Sequence, residues 1–173
     1  MENLYKSNSF LSFTLSGEYF AANVAKVINI LEMVKITKVP QSPNYVLGVI
    51  NLRGSALPLI DLRTKFGMKQ VEDTSNTCIL VLDIEIENEL LQMGARVDSV
   101  KAVLEINSDN IQPPPSIGSK YQSEYIYGMS MYSEEFIMLL DMDKVFSTDE
   151  ILELKKSSEK IENKKSFKLE KVN

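Results

Sequence analysis

Two aspartates near the end of the chain, Asp141 and Asp143, have the spacing at which paired carboxylates can hold a metal ion or exchange a proton. Their surroundings indicate a structural role instead. Asp141 follows the apolar run 136–140 and precedes Lys144, a position from which a carboxylate accepts backbone N–H groups at the start of a helix. Asp61 follows an apolar run in the same way. We therefore expect neither a metal site nor an acid–base pair at these carboxylates.

The single cysteine, Cys78, is the side chain best suited to act as a nucleophile. The chain contains no histidine, so it lacks both the commonest general base and the commonest transition-metal ligand. Cys78 lies in the apolar run 77–82, which predicts a small buried thiol, and it cannot form an internal disulfide. Gly54-Ser55 lacks the lysine of a phosphate-binding loop. These observations predict a protein that is not an enzyme and that binds no cofactor.

Arg53 is the remaining candidate, because a guanidinium presents five donors in one plane to a partner carboxylate. It follows the apolar run 46–52 and precedes Gly54, and the apolar run 57–60 carries the chain back. Runs of this length and composition predict strands, and Arg53-Gly54 predicts the turn between them. Asp61 is then expected to cap a short helix. We expect Arg53 to be exposed at a turn above an apolar sheet.

The elements that must position these residues are short apolar segments of strand length. We predict further strands over residues 10–15, 19–22, 79–86, 89–96, 100–106, 125–131 and 136–140. Residues 24–31 fit either a helical turn or a strand entered near Ile28, and β-branched residues favour the strand. About ten short strands with few helices predict an all-β protein, a closed barrel or a sandwich, because closing the sheets limits their exposed edges.

Composition limits the functions that the chain can have. With 173 residues, of which 44% are hydrophobic, the chain can bury the core of one domain. Its net charge of −5 argues against binding nucleic acid, which requires clustered Lys and Arg. No signal peptide and no apolar segment of membrane-spanning length is evident, so we expect a cytoplasmic protein. Residues 147–150 fit a capping box, and a charged helix or tail is expected over residues 149–173.

The segment 48–67 closely resembles the signature of the CheW family, the bacterial chemotaxis coupling proteins. Other segments fall in the order expected for this family between about residue 8 and residue 148, namely 10–15, 17–20, 24–30, 36–40, 77–82, 97–100, 113–115 and 139–141. The resemblance implies two side-by-side five-stranded barrels, similar to Src-homology-3 barrels, with a groove between them. It implies a CheW-like domain over residues 8–148 and a separate C-terminal segment, 149–173.

The resemblance also implies a non-catalytic adapter that couples the cytoplasmic tips of methyl-accepting chemotaxis receptors to the histidine kinase CheA. The positions that match the family's receptor-binding groove are Arg53, Cys78, Ile79, Val100 and Val103. The positions that match its kinase-docking surface are Val27, Asn29 and Gly48. The family usually has a glutamate at the position of Asn29 and an apolar residue at the position of Arg96, so this chain departs from the family pattern at both.

The same resemblance implies no metal, no cofactor and a monomer in isolation, with the inner membrane reached only through receptor arrays. Three alternatives are open. A CheV-like adapter would carry a receiver domain, and the regulatory domain of CheA would follow kinase sequence; neither appears in this sequence. A barrel that binds a small molecule, such as a nucleotide, would instead be stabilised against heat by its ligand.

Overall fold

The computed structural model describes residues 8–114 and 124–146, and strands make up most of this part of the chain. The strands are β1 (Ser9–Leu15), β2 (Glu18–Asn23), β3 (Val27–Glu32), β4 (Val46–Leu52), β5 (Ser55–Asp61), β6 (Cys78–Ile86), β7 (Glu89–Val97), β8 (Ser99–Glu105), β9 (Ile126–Tyr132) and β10 (Glu135–Leu140). Two short helices, α1 (Leu62–Lys65) and α2 (Met142–Phe146), follow β5 and β10, and single 3-10 turns occupy Val24–Lys26 and Ser108–Asn110.

The ten strands form two five-stranded sheets. One has the order β3-β6-β7-β5-β4 and comes from the middle of the chain; we call it the central barrel. The other has the order β8-β1-β2-β10-β9 and combines strands from both ends; we call it the terminal barrel. Parallel pairing of β5 with β7 and of β10 with β2 completes the two sheets, and the remaining pairs are antiparallel. The prediction of an all-β protein with two five-stranded barrels is confirmed.

Each sheet closes into a barrel because the segment that follows one edge strand pairs with the opposite edge strand. In the central barrel, Thr37 lies beyond β3 and exchanges two backbone hydrogen bonds with Val49 on β4, at 2.8 and 2.9 Å. In the terminal barrel, Gln112 lies beyond β8 and makes the same pair with Met129 on β9, both at 2.8 Å. The two edges of each sheet therefore meet, which limits the number of unpaired backbone groups.

Hairpin turns in both barrels use left-handed backbone conformations. Residues with positive φ occur in pairs at 16–17, 53–54, 87–88 and 133–134, which join consecutive antiparallel strands. Two successive residues with positive φ form the turn whose twist matches that of the flanking strands. Arg53, with φ of 52°, is therefore placed at the tip of the β4–β5 hairpin by the turn that its neighbour Gly54 favours.

The largest hydrophobic cluster is shared by the two barrels. It contains Phe13 of β1 and Leu140 of β10 together with Leu82 of β6 and Ile60 of β5, all fully or almost fully buried. Two smaller clusters fill the individual barrels, one around Phe10 in the terminal barrel and one around Leu59 in the central barrel. Because the shared cluster takes strands from both sheets, the barrels are packed side by side on one core.

Several sequence-based expectations can be compared with this structure. Residues 24–31 divide into the 3-10 turn and β3, so the interpretation as a strand is correct for its second half. The thiol of Cys78 is only partly buried, which is less than the sequence predicts. The predicted caps are present, because Asp61 accepts the N–H of Arg63 and Asp141 accepts the N–H of Lys144. The expected capping box and C-terminal segment lie outside the described residues.

Candidate functional site

Arg53 is exposed at the tip of the β4–β5 hairpin, as the sequence predicts. The side-chain oxygen of Asn51 accepts the N–H of Gly54 at 2.7 Å and fixes the turn. Among the described residues, Arg53 has no ion pair, so its guanidinium is available to a partner. An exposed arginine of this kind contributes little to folding, whereas the same side chain can anchor an interface.

Cys78 and Val100 join the two barrels at their junction. Cys78 begins β6 of the central barrel, Val100 lies on β8 of the terminal barrel, and both pack at the edge of the shared core. Burial raises the pKa of the Cys78 thiol, while the backbone N–H of Val100 and the charge of Arg96 partly offset that increase. The thiol is therefore protonated at neutral pH, and its role is that of a small apolar group at the junction.

The other two expected receptor residues lie in different environments. Val103 is on β8, an edge strand of the terminal barrel, and 61% of its surface is exposed. Ile79 is fully buried beside Leu57 and Val81 in the central barrel. The side chain of Ile79 thus packs in the core of the central barrel, and its expected contact with the receptor stays a prediction.

The expected kinase residues also differ in their exposure. Val27 is half-buried and Asn29 exposed on β3, an edge strand of the central barrel, and the neighbouring Ile28 and Ile30 expose apolar surface. Asn29 accepts the N–H of Ile30 at 2.8 Å through its side-chain oxygen. An exposed edge strand with apolar side chains is a suitable surface for a partner protein.

Gly48, the third expected kinase residue, is buried in β4 and has a φ of +139°. A Cβ atom placed there would overlap the carbonyl oxygen of Thr37, the residue that closes the central barrel. This glycine is required by the close approach of two backbone segments, and its expected contact with the kinase stays a prediction. A larger residue at position 48 would disturb the barrel itself.

Arg96 departs from the family pattern, and it belongs to a group of charged residues that the sequence does not reveal. This charge cluster consists of Asp61, Arg63, Asp73, Arg96 and Asp98. Arg63 binds both carboxylate oxygens of Asp61 through Nε and NH2, at 3.2 and 3.0 Å. Both arginines contact Oδ1 of Asp98, at 3.2 Å from Arg63 and 3.0 Å from Arg96. Arg96 also binds Asp73 through Nε and NH2.

The charge cluster connects the two barrels. The second oxygen of Asp98, Oδ2, accepts the N–H of Ser16 in the β1–β2 turn at 2.6 Å, so the cluster reaches from α1 and β7 to the terminal barrel. Arg63 and Arg96 are almost fully buried, and buried charges are tolerated when each is paired and hydrogen-bonded. The sequence signal was a charged residue within an apolar strand. Asp98 lies two residues from Arg96, but Asp73 lies 23 residues away and Arg63 belongs to another element, so the cluster cannot be identified from sequence alone.

An apolar cavity of about 440 Å³ lies between α1, β2 and β10. Its lining includes Phe20, Phe66 and Leu140, and its charged side chains among the described residues are Glu18 and Lys65. Within the described part of the chain, no group of three or more metal-ligating side chains is placed to hold an ion. Across the same residues, no helix has the length and apolar character needed to cross a bilayer.

The fold and the exposed residues define a class: two small barrels fused on one core, with apolar edge strands and a charged hairpin tip open to other proteins. The model of the CheW-like domain matches residues 9–150, and the chain belongs to this family of non-catalytic chemotaxis scaffold proteins. It is therefore not an enzyme, and its partners are proteins.

Individual relatives agree with this assignment. The chemotaxis protein CheW of Klebsiella aerogenes is 33% identical over 142 residues, which cover 82% of this chain and 83% of that protein. The CheW of Rhizobium meliloti is 33% identical over 140 residues, covering 81% and 88%. The crystal structure of the scaffolding protein TtCheW from Thermoanaerobacter tengcongensis superposes with a TM-score of 0.71 and 27% identity, covering 82% of this chain and 94% of that one.

Proposed function

We propose that this chain is a chemotaxis adapter that binds the cytoplasmic tips of chemoreceptors through one surface and the histidine kinase CheA through another. The receptor surface comprises Arg53, Cys78, Val100 and Val103, with Ile79 supporting it from the core. The kinase surface is the outer edge of β3, with Val27 and Asn29, and Gly48 acts behind it by keeping the barrel closed. In this arrangement the adapter performs no chemistry and places the kinase next to the receptor.

The observation that carries this proposal is that Cys78 and Val100, from different barrels, pack against the same shared core at the barrel junction. The two residues are brought together from different barrels. Together with the exposed Val103, they offer apolar surface to a receptor helix. Arg53 adds a planar set of donors for a carboxylate on that helix or on a neighbouring one.

The kinase surface is electrostatically weaker than the family pattern implies. Asn29 replaces the usual glutamate, and its side-chain oxygen already accepts the N–H of Ile30. Kinase binding at this edge therefore relies on the apolar side chains of Val27, Ile28 and Ile30 more than on charge. Receptor arrays at the inner membrane are the proposed location, reached from the cytoplasm through the receptors alone.

Reconstitution of a three-component complex tests this function. A chemoreceptor cytoplasmic-tip fragment is immobilised, CheA is supplied in solution, and CheA retention is measured with and without the chain. We expect retention only when the chain is present, because each partner uses a different surface. Arg53→Glu should abolish retention on the receptor while leaving binding to free CheA unchanged. Retention of CheA without the chain, or no binding of the wild-type chain to either partner, would contradict the proposal.

The alternative function is binding of a small molecule, and the apolar cavity of about 440 Å³ beside Phe66 is the observation that favours it. Ligand sites usually combine such a cavity with several convergent polar groups. A panel of nucleotides and apolar metabolites would raise the melting temperature if this cavity is a ligand site, by an amount that grows with ligand concentration. No shift at millimolar ligand would leave the adapter function as the sole candidate.

A further inference from the structure

The loop that follows α1 carries the one carboxylate of the charge cluster that faces solvent. Asp61 and Asp98 have side chains that are 2% and 14% exposed, whereas that of Asp73 is 56% exposed. Two arginines and these two inner aspartates already balance in charge. Asp73 is thus a third, surplus carboxylate, and its attraction to Arg96 is the most weakened by solvent.

The contact between Asp73 and Arg96 has a geometry that another carboxylate could improve. Asp73 uses one oxygen, Oδ1, to accept hydrogen bonds from both Nε and NH2 of Arg96. The planar edge formed by these two nitrogens matches the two oxygens of a carboxylate, one bond to each. NH1 of Arg96 stays on Asp98 at 3.0 Å, so the arginine keeps its position if Asp73 moves away.

A partner carboxylate can replace Asp73 at Arg96 if only the side chain of Asp73 rotates away. NH1 of Arg63 donates to the carbonyl of Val71 at 2.7 Å before Asp73, and the hydroxyl of Thr77 accepts the N–H of Thr74 at 2.9 Å after it. The loop backbone is therefore tied on both sides of Asp73. Rotating a short exposed side chain out of the cluster costs little compared with moving a loop.

A groove of about 410 Å³ leads to this position, and we call it the loop groove. One wall is apolar, with Met33, Ile36 and Leu47, and the loop supplies Val71, which is 45% exposed, and Asp73. The groove combines an apolar wall with a buried arginine edge. It fits a helix that presents a carboxylate beside apolar side chains.

The loop groove adjoins the proposed receptor surface. Arg96 pairs with Ile79 across β6 and β7, one residue from Cys78, and Met33 follows Glu32, which pairs with Cys78 across β3 and β6. A receptor helix seated on the contact between Cys78 and Val100 would therefore extend towards Arg96. The charge of Arg96 acts on the thiol of Cys78, so the loop groove lies close to the junction.

We infer that the outer edge of Arg96 is a docking site for a carboxylate of the receptor helix, and that Asp73 occupies this site in the free protein as an internal substitute. The inference rests on the proposed adapter function. It adds Arg96 as a specificity-determining residue, for which Asp73 and the receptor carboxylate compete. Receptor binding displaces Asp73 from Arg96 without breaking the buried pair of Arg96 with Asp98. Asp73 thereby lowers the affinity for every partner that lacks a carboxylate at this point.

The test compares two single-charge variants of the same loop. Asp73→Asn removes the competing charge but keeps an oxygen that can accept from Arg96, so the fold is retained. Glu72→Gln removes the same charge from the adjacent residue, which also lines the loop groove. Affinity for a chemoreceptor tip fragment is measured by titration at low salt. We expect Asp73→Asn to bind about 3 to 10 times more tightly, and Glu72→Gln to stay within about twofold of wild type.

A second variant and a spectroscopic measurement make the result specific to Arg96. The gain from Asp73→Asn should disappear in combination with Arg96→Lys, because one ammonium cannot replace the planar edge. The Nε–H resonance of Arg96 should shift when Asp73→Asn is made, and it should shift again when the receptor fragment is added. Thermal unfolding of each variant checks that the fold is intact.

The outcomes separate this inference from the proposed function. If the wild type binds the fragment but Asp73→Asn binds equally or more weakly, the docking site is wrong and the adapter function stands. An equal gain from Glu72→Gln would also overturn the docking site, because the effect would then be general electrostatic repulsion. If the wild type fails to bind the fragment at all, the adapter function fails and this inference fails with it.

Discussion

The central and terminal barrels are built on one plan, and the β4–β5 hairpin of the first corresponds to the β9–β10 hairpin of the second. The carbonyl of Tyr45 accepts the N–H of Asp61 in the central barrel, and the carbonyl of Tyr125 accepts the N–H of Asp141 in the terminal barrel, both at 2.8 Å. Equivalent residues of the two barrels differ by 80 in number, since Tyr45 corresponds to Tyr125 and Asp61 to Asp141. Gly48 and Gly128 keep the same spacing and lie where the closing segment crosses each barrel.

The barrels differ in how their helices reach across the junction. Arg63 in α1 and Asp143 in α2 occupy equivalent positions, two residues after the capping aspartate, but carry opposite charges. Arg63 binds Asp98 within the buried charge cluster. Asp143 binds Lys26 at 2.8 Å, and both of these side chains are partly exposed. The same helix position thus makes a buried ion pair in the central barrel and a partly solvated ion pair in the terminal barrel.

This difference predicts unequal costs when each link is broken. Removing one partner of a buried ion pair leaves an uncompensated charge in the interior, whereas a solvated pair is largely replaced by water. The central barrel is therefore expected to depend on its polar contacts more strongly than the terminal barrel.

The largest effect is expected for Arg63→Met. After this change Arg96 is the only cation of the charge cluster, and it must balance both Asp61 and Asp98. We expect a loss of about 3–5 kcal/mol in the free energy of unfolding, measured by urea denaturation. Arg63→Lys should recover part of the loss, because it restores the charge but not the fork. A loss below about 1 kcal/mol for Arg63→Met would show that the cluster is not a structural requirement.

The paired glycines give the second comparison. Gly48→Ala places a methyl group against the backbone carbonyl of Thr37 at a φ that disfavours any side chain, so we expect a loss of about 3 kcal/mol or more. Gly128→Ala meets chiefly the side chain of Ile111, which can rotate, and should cost about 1–2 kcal/mol. Thermal or urea unfolding of both variants measures the difference. Equal losses would mean that the two closures are equally rigid.

The hairpin tips give a comparison of binding. Arg53 and Ser133 occupy the same turn position, with φ of 52° and 51°, so alanine causes similar backbone strain at both. Arg53→Ala should weaken binding of the receptor fragment by about 1.5–3 kcal/mol, the range for a hydrogen bond to a charged group. Ser133→Ala should leave receptor binding unchanged. Equal affinities for wild type and Arg53→Glu in the same titration would remove Arg53 from the receptor surface.

The smallest effect is expected for Asp143→Asn. This change removes the ion pair with Lys26 but keeps a side-chain oxygen. In the unmodified chain Oδ1 of Asp143 accepts the N–H of Glu85 at 2.9 Å, and the asparagine oxygen can accept the same N–H. We expect a loss of about 1 kcal/mol in the free energy of unfolding, and less at high salt. A loss as large as that of Arg63→Met would show that the buried and the partly solvated ion pair are equally important for stability.

The sequence by itself determined the local elements. Alternating and continuous apolar runs predicted the strands, and paired turn residues such as Arg53-Gly54 predicted the hairpins. Asp61 and Asp141 were identified as helix caps from their neighbours alone. These features depend on contacts between residues close in sequence, and the family resemblance supplied the number and arrangement of the barrels.

Only the tertiary structure decided which of the expected site residues are exposed in the free chain. Ile79 and Gly48 match functional positions in sequence, but the pairing of β6 with β7 and the approach of Thr37 to β4 bury both. The charge cluster likewise joins Arg96 to partners in a loop and beyond β7. Burial and ion pairing of this kind depend on how distant segments pack together, and a local pattern of residue types does not contain that information.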